Sequence, residues 1–362
     1  MQYKRRQATL RGLLAVNRLD ALLVTHLPNI CYLCGFTGSA AAMLVTERNC
    51  CFFTDGRYTE QAKAEVQGSK IIVDRKSPLL LAAEWLKKNR ERGGRWSLGV
   101  EAEHLTLAAC RRMKENLPSH LRLKFAPPLI ERARMVKDAE EIERIRKAVE
   151  MGARLFDQTL PTMRPGVKEV EVAAVMEHSA YNAGAEGMSF PTIIASGPRS
   201  ALPHGRASQS ALPASGFVVC DFGVILAGYC SDQTRTVALG RTSPEARHAY
   251  EAVKEAQQAA IDAVRPEASF SKPDEVGRKL LKKRGLARYF THSTGHGVGL
   301  EIHEDPRLAT GQNDVFRPGM VVTIEPGVYL PGKYGVRIED MVLVTEKGCE
   351  VLTPTSKELL EL

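Results

Sequence analysis

The chain has 362 residues, 44% apolar and 25% charged, with a net charge of +8. These values exclude a small disulfide scaffold, a fibrous repeat and a disordered tail, and they supply material for two domains with real cores. The charge is uneven: residues 1–130 hold 21 Lys+Arg against 11 Asp+Glu, whereas 131–362 hold 29 against 31. The basic half contains no nucleic-acid motif, so its excess reads as surface charge, with Lys87, Lys88, Arg90, Arg92 and Arg95 forming a solvated helix end and loop. No apolar run approaches a bilayer span, and Met1 to Thr25 is basic and amphipathic without a long apolar stretch. The eight cysteines are spread thinly, as reduced thiols are. A cytoplasmic location is expected, with no membrane or nucleic-acid partner.

In chain order, apolar spacing predicts a helix from Arg5 to Asn17. Strands are predicted at Ala21–Val24, Ile30–Phe36 and Ala42–Val45. The pair Cys31 and Cys34 then falls in an apolar strand-like segment and reads as core thiols. Cys51–Tyr58 reads as a strand running into a turn, and Thr59–Val66 as the following helix. Strands at Ile71–Val73 and Ser97–Val100 alternate with helices at Pro78–Asn89 and Leu105–Glu115, which gives an α/β domain with a mixed sheet. The Pro127-Pro128 pair marks a boundary, giving domains of 1–129 and 130–362.

Beyond it, Asp138 caps a long amphipathic helix to Thr159, with Glu141 completing a capping box. Helices follow at Val167–Ala183 and Pro244–Val264. Strands are predicted at Gly216–Asp221, Tyr229–Ala238, Val321–Ile324 and Arg337–Thr345. This half is α+β with antiparallel hairpins.

Acidic residues inside apolar strands must be paired, ligated or protonated. Asp221 ends Phe217-Val218-Val219-Cys220, and Asp232 follows across a glycine-rich turn; Glu325 ends Val321-Val322-Thr323-Ile324, and Glu339 follows across a Pro/Gly-rich loop. Two acidic hairpins thus echo one another. Four converging carboxylates would repel severely, and two divalent cations would offset their charge. Between the hairpins lies His292-Ser293-Thr294-Gly295-His296-Gly297-Val298-Gly299-Leu300-Glu301-Ile302-His303-Glu304, rich in histidine and glycine. Four carboxylates with one imidazole favour manganese or cobalt; no zinc-type ligand spacing is present, although zinc remains compatible.

These motifs resemble the pita-bread metallopeptidases, specifically prolidase and aminopeptidase P. Val219-Cys220-Asp221-Phe222-Gly223, Ser231-Asp232-Gln233-Thr234-Arg235-Thr236, Gly295-His296-Gly297-Val298-Gly299, Ile324-Glu325-Pro326-Gly327 and Arg337-Ile338-Glu339-Asp340 match the family's five metal-ligand positions in order. Ile194-Ala195-Ser196-Gly197 with Ser200-Ala201-Leu202-Pro203-His204 resembles its substrate-binding strand. Phe36-Thr37-Gly38-Ser39 and Thr54-Asp55-Gly56-Arg57-Tyr58 resemble its creatinase-like N-terminal domain.

The resemblance implies an α/β creatinase-like N-terminal domain, an α+β pita-bread catalytic domain, and hydrolysis of the Xaa-Pro bond in dipeptides or short peptides. Asp221, Asp232, His296, Glu325 and Glu339 would hold two divalent ions that share a water and acidify it. Glu325 would accept that water's proton and pass it to the imide nitrogen. His303 would contact the substrate carbonyl or oxyanion, and His204 would lie near the proline-binding end. His292 and Arg337 are further substrate-site candidates, with fixation by the site's carboxylates the favoured reading of Arg337. Arg307 would pair with a dipeptide's carboxylate, which tilts the reading toward the dipeptidase. Relatives are commonly homodimers, and Asp55, Arg57 and Tyr58 are placed at that contact. Two other readings are a non-catalytic pita-bread protein that binds peptides or histones and a metal-free hydrolase of the creatinase kind. Retention of all five ligand types argues against both.

Overall fold

The computed structural model describes residues 1–89 and 96–362. Arg90, Arg92 and Arg95 lie outside the described residues, while Lys87 and Lys88 stand exposed in the last turn of a helix. The chain divides into two compact units, Met1–Arg134 and Met135–Leu362.

The first unit runs α1 (Tyr3–Val16), β1 (Ala21–Val24), α2 (Leu27–Cys34), β2 (Ala41–Thr46), β3 (Cys50–Asp55), α3 (Thr59–Glu65), β4 (Lys70–Asp74), α4 (Pro78–Lys88), β5 (Trp96–Glu101), α5 (Leu107–Asn116), β6 (Leu121–Ala126) and α6 (Leu129–Arg134). Its six strands form one mixed sheet in the order β4-β3-β2-β1-β5-β6. The central β1 is buried along its whole length, pairing antiparallel with β2 and parallel with β5. Helices α4 and α5 bury Leu81, Leu86 and Met113 against Leu23, Leu44, Phe53 and Leu98 of the sheet.

One predicted strand is wrong. The segment from Ile30 to Phe36 is not extended, since Leu27–Cys34 is helical. Pro28 occupies the first turn, where its missing N–H costs nothing, and Gly35 closes the helix at φ 89°. A short apolar run carries no periodicity that separates strand from helix, and these two end signals decide it. Cys31 and Cys34 therefore lie on a helix, and the described cysteines form no disulfide.

The second unit continues with α7 (Ala139–Thr159), α8 (Glu169–Asn182), β7 (Gly187–Met188), β8 (Ile193–Ser196), β9 (Gly216–Phe222), β10 (Val224–Leu226), β11 (Tyr229–Cys230), β12 (Gln233–Leu239), α9 (Pro244–Asp262) and α10 (Lys272–Lys283). It ends with β13 (Gly295–Gly297), β14 (Glu304–Leu308), β15 (Val321–Ile324), β16 (Gly327–Leu330), β17 (Tyr334–Arg337), β18 (Asp340–Val344) and β19 (Cys349–Val351). The Asp138 capping box starts α7 as expected, and Ile145, Val149 and Phe156 bury one face of that helix. Strand β8 falls on the Ile194–Gly197 segment expected to be a strand, while helix α10 and strands β7, β10, β13, β14, β16 and β19 are additions to the predicted set.

Two antiparallel arrangements organise this unit. In one, β9 pairs with β12 after an excursion through the short β10–β11 pair; in the other, β15 pairs with β18 after an excursion through β16–β17. The two predicted long strands, Tyr229–Ala238 and Arg337–Thr345, are each broken. The first stops at Cys230 and resumes at Gln233; the second stops at Arg337 and resumes at Asp340. The breaks free Asp232 and Glu339 from strand alternation.

Candidate metal centre

The candidate ligands come from both arrangements. Asp221 sits near the end of β9, opposite Thr234 of β12. Asp232 lies in the break before β12, Glu325 follows β15, Glu339 lies in the break before β18, and His296 is the middle residue of β13. Backbone bonds hold the irregular positions: the Glu339 N–H donates to the Thr234 carbonyl at 3.1 Å, and the Glu325 N–H donates to the Thr294 carbonyl at 2.7 Å. Two glycines permit the close approach. A Cβ on Gly223 would strike the Ser231 carbonyl beside Asp232, and one on Gly295 would strike the Thr323 carbonyl beside His296.

Asp232, His296 and Glu339 offer ligand atoms that all lie within 4.8 Å of one another. His296 Nε2 is 3.6 Å from Asp232 Oδ2 and 3.5 Å from Glu325 Oε1. Its Nδ1–H donates to the Gly297 carbonyl at 3.0 Å, which fixes the tautomer with an unprotonated Nε2 turned toward the carboxylates. Burial holds this imidazole below its ordinary pKa and keeps it neutral.

Burial pushes Asp232 and Glu339 well above the carboxylate range, with the neighbouring carboxylates adding to the effect, and burial raises Glu325 to about 7. Asp221 contributes to the repulsion felt by all three. Asp221 Oδ1 and Asp232 Oδ1 are buried without a hydrogen-bond partner. Orphaned carboxylate oxygens, mutual repulsion and an imidazole lone pair aimed inward describe a site that fits divalent cations. Hard oxygen donors dominate the set.

Arg337 is buried, and four acceptors engage its guanidinium. It donates to Asp221 Oδ2 at 2.5 Å, Tyr329 Oη at 2.7 Å, Thr234 Oγ1 at 3.0 Å and the Pro203 carbonyl at 3.0 Å. Burial opposes its charge, but Tyr329, Asp221, Glu325 and Glu339 outweigh that and hold it cationic. Of the two readings open for this residue, fixation by the site's carboxylates matches this geometry. Tyr329 in turn contacts His292 Nε2 at 2.9 Å, while His292 Nδ1–H donates to the Ser293 carbonyl. Burial drops His292 to about 4, so it is a neutral acceptor for the Tyr329 hydroxyl.

His303 lies exposed, with its ring centroid 4.5 Å from that of His296. Arg307 on β14 stands directly opposite His296, and its guanidinium forms no hydrogen bond or ion pair with any described residue. His204 lies exposed in the segment after β8, beside the Pro203 carbonyl that Arg337 holds. In the first unit, Arg57 pairs with Asp55 at 2.9 Å and Tyr58 meets Ser39.

Sequence reasoning assigned no role to Tyr329, Thr234, Arg235 or Asp340. Thr234 donates to Glu339 Oε2 at 2.7 Å, and the fully buried Asp340 accepts from Arg235 at 2.6 Å. Thr234 and Arg235 lie inside a quoted motif, but only its aspartate carried an obvious chemical anomaly. Tyr329 lies in an apolar run that gives no such signal.

The description "Metallopeptidase family M24" matches residues 143–346, and "Creatinase/Prolidase N-terminal domain" matches residues 6–136. The Xaa-Pro dipeptidase of Pyrococcus horikoshii is 36% identical over 348 residues, 95% of each chain. The structure of a Xaa-Pro dipeptidase from Bacillus anthracis superposes with a TM-score of 0.94 at 37% identity, covering 100% of both chains. An X-Pro aminopeptidase from Thermotoga maritima superposes with a TM-score of 0.86 at 34% identity, covering 95% of this chain and 98% of the other. The chain belongs to metallopeptidase family M24, with a creatinase-type N-terminal domain preceding its pita-bread domain.

Proposed function

We propose that this protein is a metal-dependent exopeptidase that hydrolyses the Xaa-Pro bond, favouring dipeptides over the N-termini of longer peptides. The observation that carries the reading is the convergence of Asp232, Glu325 and Glu339 on a neutral imidazole, with Asp221 adding to their mutual repulsion and buried carboxylate oxygens left unpartnered. Neither a purely binding protein nor a metal-free hydrolase gives those oxygens a use. Asp221, Asp232, His296, Glu325 and Glu339 would hold two divalent ions, manganese or cobalt first and zinc less readily. When bound, the ions would polarise the scissile carbonyl and acidify a water at neutral pH.

The remaining work falls to the chain. Glu325, a carboxylate 3.5 Å from His296 at the centre of the site, would take a proton and return it to the proline nitrogen, a poor leaving group until protonated. His303, exposed beside His296, would donate to the carbonyl oxygen as negative charge develops there. Arg337 would hold Asp221 oriented. Arg307, with no partner among the described residues, would receive the free carboxylate of a dipeptide, and His204 would border the proline ring. A homodimer involving Asp55, Arg57 and Tyr58 and a cytoplasmic location belong to the same proposal. No described helix is long and apolar enough to cross a membrane.

The test is hydrolysis of Ala-Pro against Ala-Pro-Ala by manganese- or cobalt-loaded protein, with Ala-Ala and a chelated sample as controls. Preference for Ala-Pro supports the dipeptidase and preference for Ala-Pro-Ala the aminopeptidase. Failure to cut either peptide with any metal would overturn both.

A further inference from the structure

We propose that Glu169 is a positioning residue that sets His204 by closing the neck of the loop that carries it; the inference rests on the reading of His204 as a substrate contact. Glu169 opens α8 and is fully buried. A buried carboxylate needs its lone pairs filled. The Ser196 N–H and Oγ–H donate to Oε1 at 2.8 and 2.9 Å, and the Ser208 N–H and Oγ–H donate to Oε2 at 3.1 and 2.7 Å. Arg199 adds its Nε–H to Oε2 at 3.0 Å. All five donors belong to the segment from Ser196 to Ser208, so one carboxylate joins its two ends in the manner of an Ω-loop. The first turn of α8 reinforces the neck, because the Val170 N–H donates to the Ser208 carbonyl and the Glu169 N–H to the Ser210 carbonyl.

Within the loop, Arg199 Nη2 donates to the Arg206 carbonyl at 2.8 Å, which extends the hold toward the tip. At the tip, the Pro203 carbonyl accepts from Arg337, the same guanidinium that holds Asp221. His204 follows Pro203, and its ring forms no hydrogen bond with any described residue. Its place is therefore set by the backbone, through one anchor at the tip and one at the neck. A role confined to the core would need only an apolar side chain at 169. A charge that gathers five donors from one loop is built to hold that loop.

The experiment is a double-mutant cycle on the manganese-loaded full chain with Ala-Pro as substrate. Glu169→Gln turns one acceptor oxygen into a donor facing donors. It is expected to lower kcat/KM by about 10- to 100-fold, as displacement of a positioned group does. In the His204→Ala background the same change should cost less than about 3-fold, because the group it positions is gone. Bound manganese per chain should not change. Arg199→Met, which leaves Glu169 four of its donors, should act in the same direction and more weakly, and it serves if Glu169→Gln does not fold.

A readout independent of activity is trypsin cleavage after Arg206 in the metal-free chain, expected to be at least about 10-fold faster in either variant as the loop opens locally. Equal losses in both backgrounds, a fall in manganese that tracks activity, or unchanged cleavage would each overturn the proposal. If His204→Ala alone leaves kcat/KM unchanged, the reading of His204 falls and Glu169's part in substrate handling falls with it. The cleavage rate still decides whether Glu169 holds the loop.

Discussion

His296 and Arg307 face one another across the antiparallel β13–β14 pair. Directly opposed residues of such a pair project to the same face of the sheet with neighbouring Cβ atoms. A candidate metal ligand and a guanidinium without a described partner are thereby brought to one face. A dipeptide whose scissile carbonyl lies at the ligands would present its carboxylate only a residue away. Arg307→Ala should therefore raise KM for Ala-Pro by about 10- to 100-fold, the loss of one charged hydrogen-bonded contact. Ala-Pro-Ala, whose carboxylate lies a residue further on, should change far less. Equal effects on the two peptides would refute the carboxylate role.

Asp232 and Glu339 sit in strand breaks with their oxygens turned to the His296 ring. Either Asp232→Ala or Glu339→Ala should remove a ligand shared by the site, abolish hydrolysis and lower bound manganese per chain. Metal analysis of dialysed protein measures this directly. Full activity at low metal content would sink the two-ion reading.

The metal-free chain should also show a distinctive dependence of stability on pH. A carboxyl whose folded pKa is raised binds more protons folded than unfolded, so stability is greatest below the unfolded value and falls as pH rises through the folded one. For Glu325 the interval runs from roughly 4.3, its unfolded value, up to about 7, and Asp232 and Glu339 act in the same direction. Chelated protein should therefore melt at progressively lower temperature from about pH 5 to pH 7.5. Saturating manganese should reverse the trend, because ligated carboxylates are already ionised and binding releases their protons. Parallel melting curves with and without metal would contradict it.

Much of the site was legible because burying a carboxylate demands a reason, and Asp221, Asp232, Glu325 and Glu339 each follow or interrupt apolar strand sequence. What remained hidden was geometry that composition does not encode. Tyr229–Ala238 and Arg337–Thr345 read as continuous strands, yet each breaks where its ligand sits, Asp232 between Cys230 and Gln233 and Glu339 between Arg337 and Asp340. Ile30–Phe36 read as a strand because so short an apolar run cannot show a helical period, and Pro28 and Gly35 were the informative residues. The roles of Glu169, Tyr329 and Asp340 depend on partners far along the chain, which no local pattern announces.

Asp340 supplies the last prediction. It is fully buried, and its carboxylate accepts from Arg235 Nη2 at 2.6 Å, Gln257 Nε2 at 2.9 Å and Lys357 Nζ at 3.1 Å. Arg235, buried on β12, also donates to the Thr234 and Glu339 carbonyls and so ties one acidic arrangement to the other. Removing Asp340 leaves that guanidinium buried beside carbonyls alone, and an uncompensated buried charge costs about 3–5 kcal/mol. Asp340→Ala should therefore lower the melting temperature by roughly 10 °C for a unit of this size. Because Arg235 would then pull on the Glu339 backbone without its counter-charge, manganese affinity should fall as well. Arg235→Met/Asp340→Leu, which removes both charges and fills the space, should recover most of the stability. If the double variant is no more stable than Asp340→Ala, the stranded charge is not the cause.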